Sequence, residues 1–533
     1  MTLPTFSIEQ IAHQLTDNYW RWANHHIPPP DRQKGPIAGA DDGIVTVDVS
    51  GLNAVGKKVA RLALEAWSTV TGLTFLESNL QSSDIVFDDE NKNKAFNETR
   101  GWVSKFEFIN VGKYWLRDAG TTLDSYGYQT YLHEIGHALG LGHAGNYNLT
   151  ATYSQNRSGD NHYLNDSWKH TVMSYFSQRE NTHIKSKFAY IATPMTADLM
   201  AVRSLYPNVD RDLNGGDTTY NLWGKHTILE GKGFKLGRDL IALTLFDTGG
   251  EDTLDFSAAT RNQFIRLEPG SYSKINGSRG VLGVDTETDI ENAIGGAGKD
   301  RIRGNDLDNF LAGKRGSDKL KGFDGDDHLH GGLGRDQLFG GNDNDTLQMS
   351  RGQDELFGGA GTDLLYYFRD RDLTIDLGKP GPQETGIGRQ RIAGIENIEA
   401  GNGDDVLVGT NGKNRLKGGA GNDVLAGRGG ADILLGGMGE DRLNGGSGDD
   451  ALTGGDDADR FIFKLYSGLD TVTDFTPDVD HIDITALSFD SYQSLKMAMS
   501  EQNGDVQIKL SDDSWILLQS IALADLDEFD FLL

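Results

Sequence analysis

The strongest constraint on the fold is a nine-residue period that occupies much of the second half of the chain. Residues 295–366 and residues 400–462 each divide into consecutive nonapeptides without a gap, and the best units read GGLGRDQLF and GGAGNDVLA. Glycines open the unit, an acidic or amide residue holds position six, and an apolar residue holds position eight. This pattern predicts a tight turn followed by a short strand, whereas a flexible linker would not keep the two positions in phase.

Two nonapeptides are expected to form one coil of a right-handed parallel β-roll, with position eight inside and position six along each edge. Carboxylate and carbonyl oxygens are the ligands that calcium prefers. We therefore expect several structural Ca²⁺ ions, with lower occupancy near the weaker units at Asn309, Asn414 and 349–350. The predicted calcium ligands are Asp300, Asp318, Asp327, Asp336, Asp345, Asp354, Asp363, Asp405, Asp423, Asp432, Asp441, Asp450 and Asp459.

Charge and cysteine content narrow the classes of partner. The chain has 50 basic and 79 acidic residues, a net charge of −29, and no cysteine. This balance argues against nucleic acid or an anionic membrane as a partner. The absence of cysteine excludes disulfides, thiolate metal sites and thiol nucleophiles. Bound metal ions are therefore expected to stabilise the fold instead. We expect the roll to be unfolded at low calcium, because its stacked carboxylates repel one another.

The N-terminal sequence, MTLPTFSIEQIAHQLTDNYW, lacks the basic and apolar regions of a secretory signal peptide. No stretch approaches the roughly 20 apolar residues that a membrane span requires. The sequence therefore predicts a protein without a membrane span that is either cytosolic or exported by a route that does not read the N-terminus.

A histidine motif in the first half carries the chemistry. His133 and His137 are four residues apart in a segment with helical character, so both imidazoles are expected on one helix face, within reach of a single zinc ion. His143 is the candidate third ligand, and Gly140 is expected to end the helix with a positive φ and turn the chain back. Three protein ligands would leave one zinc position open for water, as in catalytic sites.

Glu134 is adjacent to the first ligand and is the expected general base and acid. The short pattern alone also occurs on surface helices without a metal. The extended pattern, with a third histidine and a glycine, is that of the metzincin metallopeptidases. The segment His170–Phe176, HTVMSYF, resembles their methionine turn, with Met173 as the apolar floor under the imidazoles.

The Met-Ser-Tyr version of this turn, followed by nonapeptide repeats, resembles the serralysin family, peptidase family M10B with a calcium-binding RTX roll. The resemblance implies that Tyr175 binds zinc at rest and stabilises the oxyanion during turnover. It also implies protein substrates, a monomer, type I secretion read from the C-terminus, and a small periplasmic inhibitor as a partner. Ala144 and Asn146 depart from the family's Pro and Asp, and we expect a looser loop around the third histidine.

The predicted fold is an α+β metzincin domain followed by a parallel β-roll. Its parts are a helical segment or short pro-segment at 1–24, the catalytic domain at 25–213, the roll at 214–462, and a β-rich cap with the secretion signal at 463–533.

The predicted function is a secreted zinc endopeptidase with one catalytic Zn²⁺, and residues 101–108 are a candidate for the strand that pairs with the substrate. A calcium-dependent surface protein with a vestigial zinc domain is the second hypothesis. A repeat-bearing lipase is the third, and it lacks a GxSxG motif near a strand–helix junction.

Overall fold

The computed structural model describes residues 3–26, 35–79, 82–100, 106–148, 150–156, 158–184, 186, 188–213, 215–221, 241–275 and 282–533. It divides into two compact units, Met1–Ala297 and Gly298–Leu533. No helix in the described part of the chain combines the length and the apolar character that a bilayer span requires.

The helices of the first unit are α1 (Ile8–His13), α2 (Tyr19–His26), α3 (Ala54–Thr71), α4 (Lys113–Ala119), α5 (Tyr126–Ala138) and α6 (Thr196–Leu205), with a π-turn at Gln14–Asn18 between α1 and α2. Asn53 caps the N-terminus of α3, and Gly72 ends it with φ +76°. α3 packs against α5, where the Trp67 indole N–H donates to the Leu132 carbonyl over 3.1 Å. This packing fixes α5, the helix of the histidine motif.

A five-stranded sheet lies in the same unit, in the order β2-β1-β3-β5-β4. Its strands are β1 (Ile44–Gly51), β2 (Thr74–Glu77), β3 (Ile85–Asp88), β4 (Ala95–Arg100) and β5 (Phe106–Val111). β4 is antiparallel to β5 and ends the sheet, while the other pairs are parallel. The predicted substrate strand is therefore wrong at residues 106–108, since β5 lies between β3 and β4, and residues 101–105 lie outside the described part.

Shorter strands complete the first unit. They are β6 (Tyr190–Ile191), β7 (Thr219–Asn221), β8 (Ile241–Leu245), β9 (Thr253–Asp255), β10 (Phe264–Arg266), β11 (Tyr272–Ser273), β12 (Leu282–Val284) and β13 (Asn292–Ile294). β6, β8, β11 and β12 form one small sheet, and β9 pairs in parallel with both β7 and β13.

The second unit is a parallel roll, as the repeats predict. Strands on one side pair in parallel with a spacing of one coil, so that Leu311 pairs with Leu329 and Leu320 with Leu338. Every position-eight side chain of both arrays is buried, from Ile302 to Phe461, because the x-Leu-x half of each unit points that residue inward. The core is therefore a thin column of stacked apolar side chains.

The strands form three ladders. Ladder one contains β14 (Arg301–Arg303), β17 (Lys319–Phe323), β20 (Gln337–Asn342), β22 (Glu355–Ala360), β25 (Gln383–Glu384) and β26 (Arg389–Ala393). Ladder two contains β15 (Phe310–Ala312), β18 (His328–His330), β21 (Thr346–Gln348), β23 (Leu364–Tyr366), β27 (Asn397–Glu399), β29 (Arg415–Ala420), β31 (Ile433–Met438), β33 (Ala451–Asp456) and β35 (Leu469–Val472). Ladder three contains β24 (Thr374–Asp376), β28 (Val406–Val408), β30 (Val424–Gly429), β32 (Arg442–Ser447), β34 (Arg460–Ile462) and β36 (His481–Asp483).

The tail continues these ladders. β37 (Met499–Gln502), β38 (Asp505–Ser511) and β39 (Ser514–Leu518) extend ladder two, and β40 (Phe531–Leu532) extends ladder three. The short helix α7 (Tyr492–Lys496) precedes β37 in the chain, and the two-residue strands β16 (Arg315–Gly316) and β19 (Leu333–Gly334) pair at a turn edge.

Candidate active site and calcium ladders

The local sequence of α5 explains how the histidines are presented. Ser125 caps the helix by accepting from the Tyr128 N–H, and the helix ends at Ala138. Gly140 follows with φ +104°, as predicted, and a side chain there would meet the Gly35 carbonyl oxygen at 2.6 Å. The chain therefore reverses directly after the helix and returns toward the same face.

The reversal brings the three predicted imidazoles together. One candidate ligand atom from each of His133, His137 and His143 lies within 4.8 Å of the other two. The ring centroids are separated by 4.7, 5.4 and 4.5 Å. Six residues along a straight helix would not give this geometry, so the turn at Gly140 is what assembles the cluster.

The protonation state of the cluster fits a bound cation. Nδ1 of His133 lies 2.9 Å from the Val172 carbonyl oxygen, and Nδ1 of His137 lies 2.8 Å from that of Leu141. A carbonyl can only accept, so both Nδ1 atoms carry a proton, and in the neutral ring Nε2 then has the free lone pair that a metal needs. His137 Nε2 faces His143 Nε2 at 3.0 Å. Burial lowers the pKa of His133 to about 4, so this imidazole is neutral at pH 7, the form that binds zinc.

The third imidazole has a partner that the sequence did not indicate. The Tyr19 hydroxyl on α2 lies 3.1 Å from His143 Nδ1, which leaves Nε2 directed at the other histidines. A Cβ at Gly142 would lie 2.1 Å from a Tyr19 ring carbon, so only glycine admits this ring. The Trp20 indole N–H donates to the Gly140 carbonyl, and the Gly142 N–H donates to the Leu15 carbonyl. The N-terminal helices are thus tied to the loop that carries the third histidine.

Glu134 lies beside the cluster in a cavity of about 390 Å³. Its side chain is buried, and His133 and Tyr175 line the same cavity. Trp115, Tyr126 and Trp168 form an aromatic wall, and Ala95 of the edge strand β4 also contributes. The cavity is therefore lined by the Glu134 carboxylate, one face of the histidine cluster and the aromatic wall.

The predicted methionine turn lies directly under the helix. A Cβ at Gly136 would be 2.6 Å from the Met173 sulfur, and Met173 is fully buried. Asp198 holds the turn, because its carboxylate accepts from the backbone N–H groups of Val172 and Met195, each over 2.8 Å. Burial raises the pKa of Asp198 to about 7.

Tyr175 is placed by a second buried carboxylate. Its ring centroid is 4.6 Å from that of His143, and its N–H donates to the Tyr147 hydroxyl over 3.3 Å. The Tyr147 hydroxyl donates to Asp166, which also accepts from the Ser174 hydroxyl over 2.6 Å. Burial raises the pKa of Asp166 to about 7, and these two hydrogen bonds oppose that rise. No sequence motif marked Asp166, whose partners Tyr147 and Ser174 lie 19 and 8 residues away.

The looser loop expected at Ala144 and Asn146 stays a prediction, and both residues form hydrogen bonds to neighbouring segments. The Ala144 N–H donates to the Met173 carbonyl over 3.3 Å, and a proline at that position could not donate. Asn146 accepts a hydrogen bond from the Gln14 amide over 3.4 Å. Both departures thus connect the loop to neighbouring segments.

The roll carries its own repeated carboxylate geometry. On each edge the N–H of one position-six residue donates to Oδ1 of the position-six aspartate one coil later, as from Asp423 to Asp441 over 2.7 Å. Oδ2 has no partner in eleven of the thirteen predicted aspartates, although the residues are buried. An unpartnered buried acceptor costs about 1–3 kcal/mol, and a bound cation would remove that cost at each Oδ2. The eleven are Asp318, Asp327, Asp336, Asp345, Asp363, Asp405, Asp423, Asp432, Asp441, Asp450 and Asp459.

The two remaining aspartates and the two asparagines differ. The Ser350 hydroxyl donates to Asp354 Oδ2 over 3.0 Å, and Asp300 donates its N–H to the ladder without an orphaned Oδ2. The Asn309 amide bonds to Asn305, and the Asn414 amide donates to the Glu396 carbonyl over 2.7 Å. At these four positions the side chain lacks the unpartnered Oδ2 that the other units have.

Sequence reasoning missed three further carboxylates. Asp470 and Asp480 extend the two edges, accepting from the N–H groups of Asp450 and Asp459 over 3.2 and 2.9 Å. Their spacings of 20 and 21 residues break the nine-residue period, which hid them. In the first unit, Asp252 has the same orphaned Oδ2, and burial raises its pKa to about 7.

Three family models match the chain. Residues 48–175 match the matrixin model of peptidase M10, and residues 235–379 match the peptidase M10 serralysin C-terminal model. The RTX calcium-binding nonapeptide repeat matches residues 399–434, 408–443 and 435–463. The chain thus has a matrixin-type peptidase domain followed by a parallel RTX roll, as the fold prediction stated, and these families imply a catalytic zinc ion and calcium ions.

The chain is similar to proteins named serralysin, which confirms the resemblance predicted from the motifs. The chain is 33% identical over 271 residues to Serralysin of Photorhabdus laumondii subsp. laumondii, covering 50% of this chain and 56% of that protein. It is 32% identical over 279 residues to Serralysin of Proteus mirabilis, covering 49% and 56%. Against Metallopeptidase AprA of Pseudomonas marginalis it is 33% identical over 277 residues, covering 49% and 56%. The matched part thus spans little more than half the length of each relative.

Among solved structures, the extracellular lipase LipA of Serratia marcescens is 18% identical, with coverage of 48% of this chain and 44% of that chain. Its TM-score of 0.23 is too low to support any conclusion about fold or function.

Proposed function

We propose that the chain is a zinc endopeptidase that hydrolyses peptide bonds in extracellular proteins. His133, His137 and His143 would hold the zinc ion through Nε2. The observation that carries the proposal is the convergence of these imidazoles with a buried glutamate in one cavity. A zinc ion bound there would make water a nucleophile near neutral pH.

The side chains around the cluster have separate roles in this proposal. The Glu134 carboxylate would accept a proton from the attacking water and return it to the leaving amine. The Tyr175 hydroxyl would donate to the carbonyl oxygen as negative charge develops there, and it is also the proposed fourth zinc ligand at rest. Met173 would support the imidazoles from below. In this proposal the N-terminal helices help to position His143, because the Tyr19 hydroxyl contacts its Nδ1.

An extended substrate would pair with β4, the edge strand, whose residue Ala95 lines the cavity. The aromatic wall of Trp115, Tyr126 and Trp168 would accept a large apolar side chain next to the cleaved bond.

The test uses the full-length, zinc- and calcium-loaded protein with a quenched fluorescent peptide library. Glu134→Gln should lower kcat/KM by about 10²–10⁴-fold, the usual contribution of a general base, while one zinc per chain remains bound. The matched control is Glu90→Gln, an exposed glutamate, which should cleave at the wild-type rate. Wild-type cleavage by Glu134→Gln, or cleavage that survives removal of zinc, would exclude the mechanism.

The roll aspartates with an orphaned Oδ2 would bind calcium and couple folding to its concentration. We propose that a monomer crosses the envelope unfolded through a type I secretion apparatus and folds outside, where calcium is abundant. A small periplasmic inhibitor would protect the producing cell. Circular dichroism of the full chain in EGTA and in millimolar calcium tests the folding step, and equal strand content would refute it.

A further inference from the structure

A cavity of about 300 Å³ lies in the first repeat array, apart from the catalytic cluster. Lys314, Arg351 and Arg369 line it together with His330, Tyr367 and apolar side chains. We propose that this cavity binds an acidic sugar of a carboxylated or sulfated polysaccharide, and that it anchors the roll to such a polymer.

The chain carries a net charge of −29, so its carboxylates outnumber the cations that could pair with them. Yet in the described part of the chain no carboxylate oxygen lies within 4.0 Å of Lys314, Arg351 or Arg369. Three unpaired cations that share one cavity form a site for an anion, which arginine binds with paired N–H donors.

Two further features favour an organic anion over an inorganic one. Tyr367 is only 3% exposed, and its hydroxyl has no hydrogen-bond partner, so a ligand oxygen would satisfy it. Leu333 and Phe368 line the same cavity with 55% and 63% of their surface exposed. A ligand with both charged groups and an apolar ring face would cover them.

The surroundings favour a polymer. A second cavity of about 650 Å³ lies next along the edge, lined by Arg335, Arg389 and Glu384, and Arg335 also lies 3.5 Å from Glu355. The opposite turns carry the acidic residues Asp306, Asp308, Asp324, Asp326 and Asp343. Positive charge is thus gathered on one side of the array, as an extended anion would require.

The cavity lies where the calcium pattern is interrupted. Met349 and Ser350 replace the usual glycine pair, and the Ser350 hydroxyl donates a hydrogen bond to Asp354 Oδ2. Ser350 and Arg351 line the cavity directly. This departure from the repeat, which weakens a calcium site, therefore coincides with the gain of a cationic pocket.

The experiment measures binding of fluorescent carboxymethyl-dextran, dextran sulfate and neutral dextran of equal length to full-length, calcium-loaded protein at 50 and 200 mM NaCl. At least one charged dextran should bind, more weakly at high salt, while neutral dextran should not. The triple variant Lys314→Gln, Arg351→Gln, Arg369→Gln should bind at least tenfold more weakly. The matched control is Lys413→Gln, Arg415→Gln, Arg442→Gln in the second array, with the same charge change and an expected loss below twofold.

Calcium-dependent circular dichroism must show both triple variants folded, and Tyr367→Phe supplies a test without any charge change, with an expected loss of about threefold. Equal losses in the two triple variants would reduce the effect to net charge and overturn the proposal. Unchanged binding in the cavity variant, or tighter binding of a DNA duplex that is lost in the same variant, would also overturn it.

Discussion

The calcium-free roll should lose stability as the pH rises from 5 to 7. This is the reverse of ordinary acid denaturation, in which a protein loses stability as the pH falls. Ten of the aspartates with an orphaned Oδ2 have a pKa raised to between about 6 and about 8. Burial is the main cause in each case, and neighbouring aspartates of the ladder add to it in most. Without calcium, these carboxyl groups therefore favour the protonated form when the roll is folded.

The sign follows from proton linkage. In the unfolded chain an aspartate has a pKa of about 3.9, so above pH 5 the folded calcium-free roll holds more protons than the unfolded chain. Each such group lowers the unfolding free energy by about 1.4 kcal/mol per pH unit until its folded pKa is passed. Solvent at the edges screens part of the effect, so we count three of the ten groups as fully effective. The slope is then about 4 kcal/mol per pH unit. The whole unfolding free energy of a domain is about 5–15 kcal/mol, so a rise of one or two pH units would remove much of it.

The assay is thermal unfolding of the full-length protein, freed of calcium with a chelating resin, at pH 5, 6 and 7, followed by circular dichroism, with a parallel series in calcium. The calcium-free roll should show a thermal transition at pH 5 that moves to lower temperature at pH 6 and is absent at pH 7, where the roll is already unfolded, and the calcium series should show no such shift. Asp432→Asn should reduce the slope by about 0.3 proton, roughly 0.4 kcal/mol per pH unit, and Asn414 shows that an amide fits at position six. A calcium-free roll that is equally stable at pH 7 and pH 5 would refute the reasoning.

The remaining predictions concern the zinc site and one weak repeat. Tyr19→Phe should weaken zinc binding by about tenfold or more, measured by chelator competition, because it removes the oxygen that accepts from His143 Nδ1–H when Nε2 binds zinc. Tyr153→Phe, which removes a hydroxyl bonded to the Leu164 carbonyl, should not weaken zinc binding. Gly136→Ala should destabilise the first unit by about 1–3 kcal/mol in urea unfolding, because its Cβ would meet the Met173 sulfur at 2.6 Å. Asn414→Asp should raise the calcium stoichiometry, measured by mass spectrometry under native conditions, because it exchanges an amide donor for a carboxylate.

Each of these predictions has an outcome that contradicts it. Equal zinc affinity in Tyr19→Phe would show that the tyrosine contact is incidental to the metal. An unchanged unfolding midpoint in Gly136→Ala would mean that the methionine turn is not packed as described. Unchanged calcium binding in Asn414→Asp would show that the other ligands of that unit are missing.

The parts of the fold that the sequence predicted correctly depend on short-range geometry. Position eight of every nonapeptide is apolar and must point inward in every coil. The nine-residue period therefore already predicts the buried column from Ile302 to Phe461. Two histidines one helical turn apart share a face, and Gly140 had to reverse the chain for the third to join them. Helix, turn and repeat all arise within about ten residues, where residue type alone limits the backbone.

Contacts between distant segments required the tertiary structure. Tyr19 reaches a histidine 124 residues away, and Asp198 holds a turn 26 residues before it, with no local pattern to announce either. Asp470 and Asp480 join the calcium edges after the period has ended. The sequence by itself determined which local elements form and which chemistry they carry. Only the folded chain decided which side chains orient that chemistry, because such pairing depends on packing between segments that local preferences do not specify.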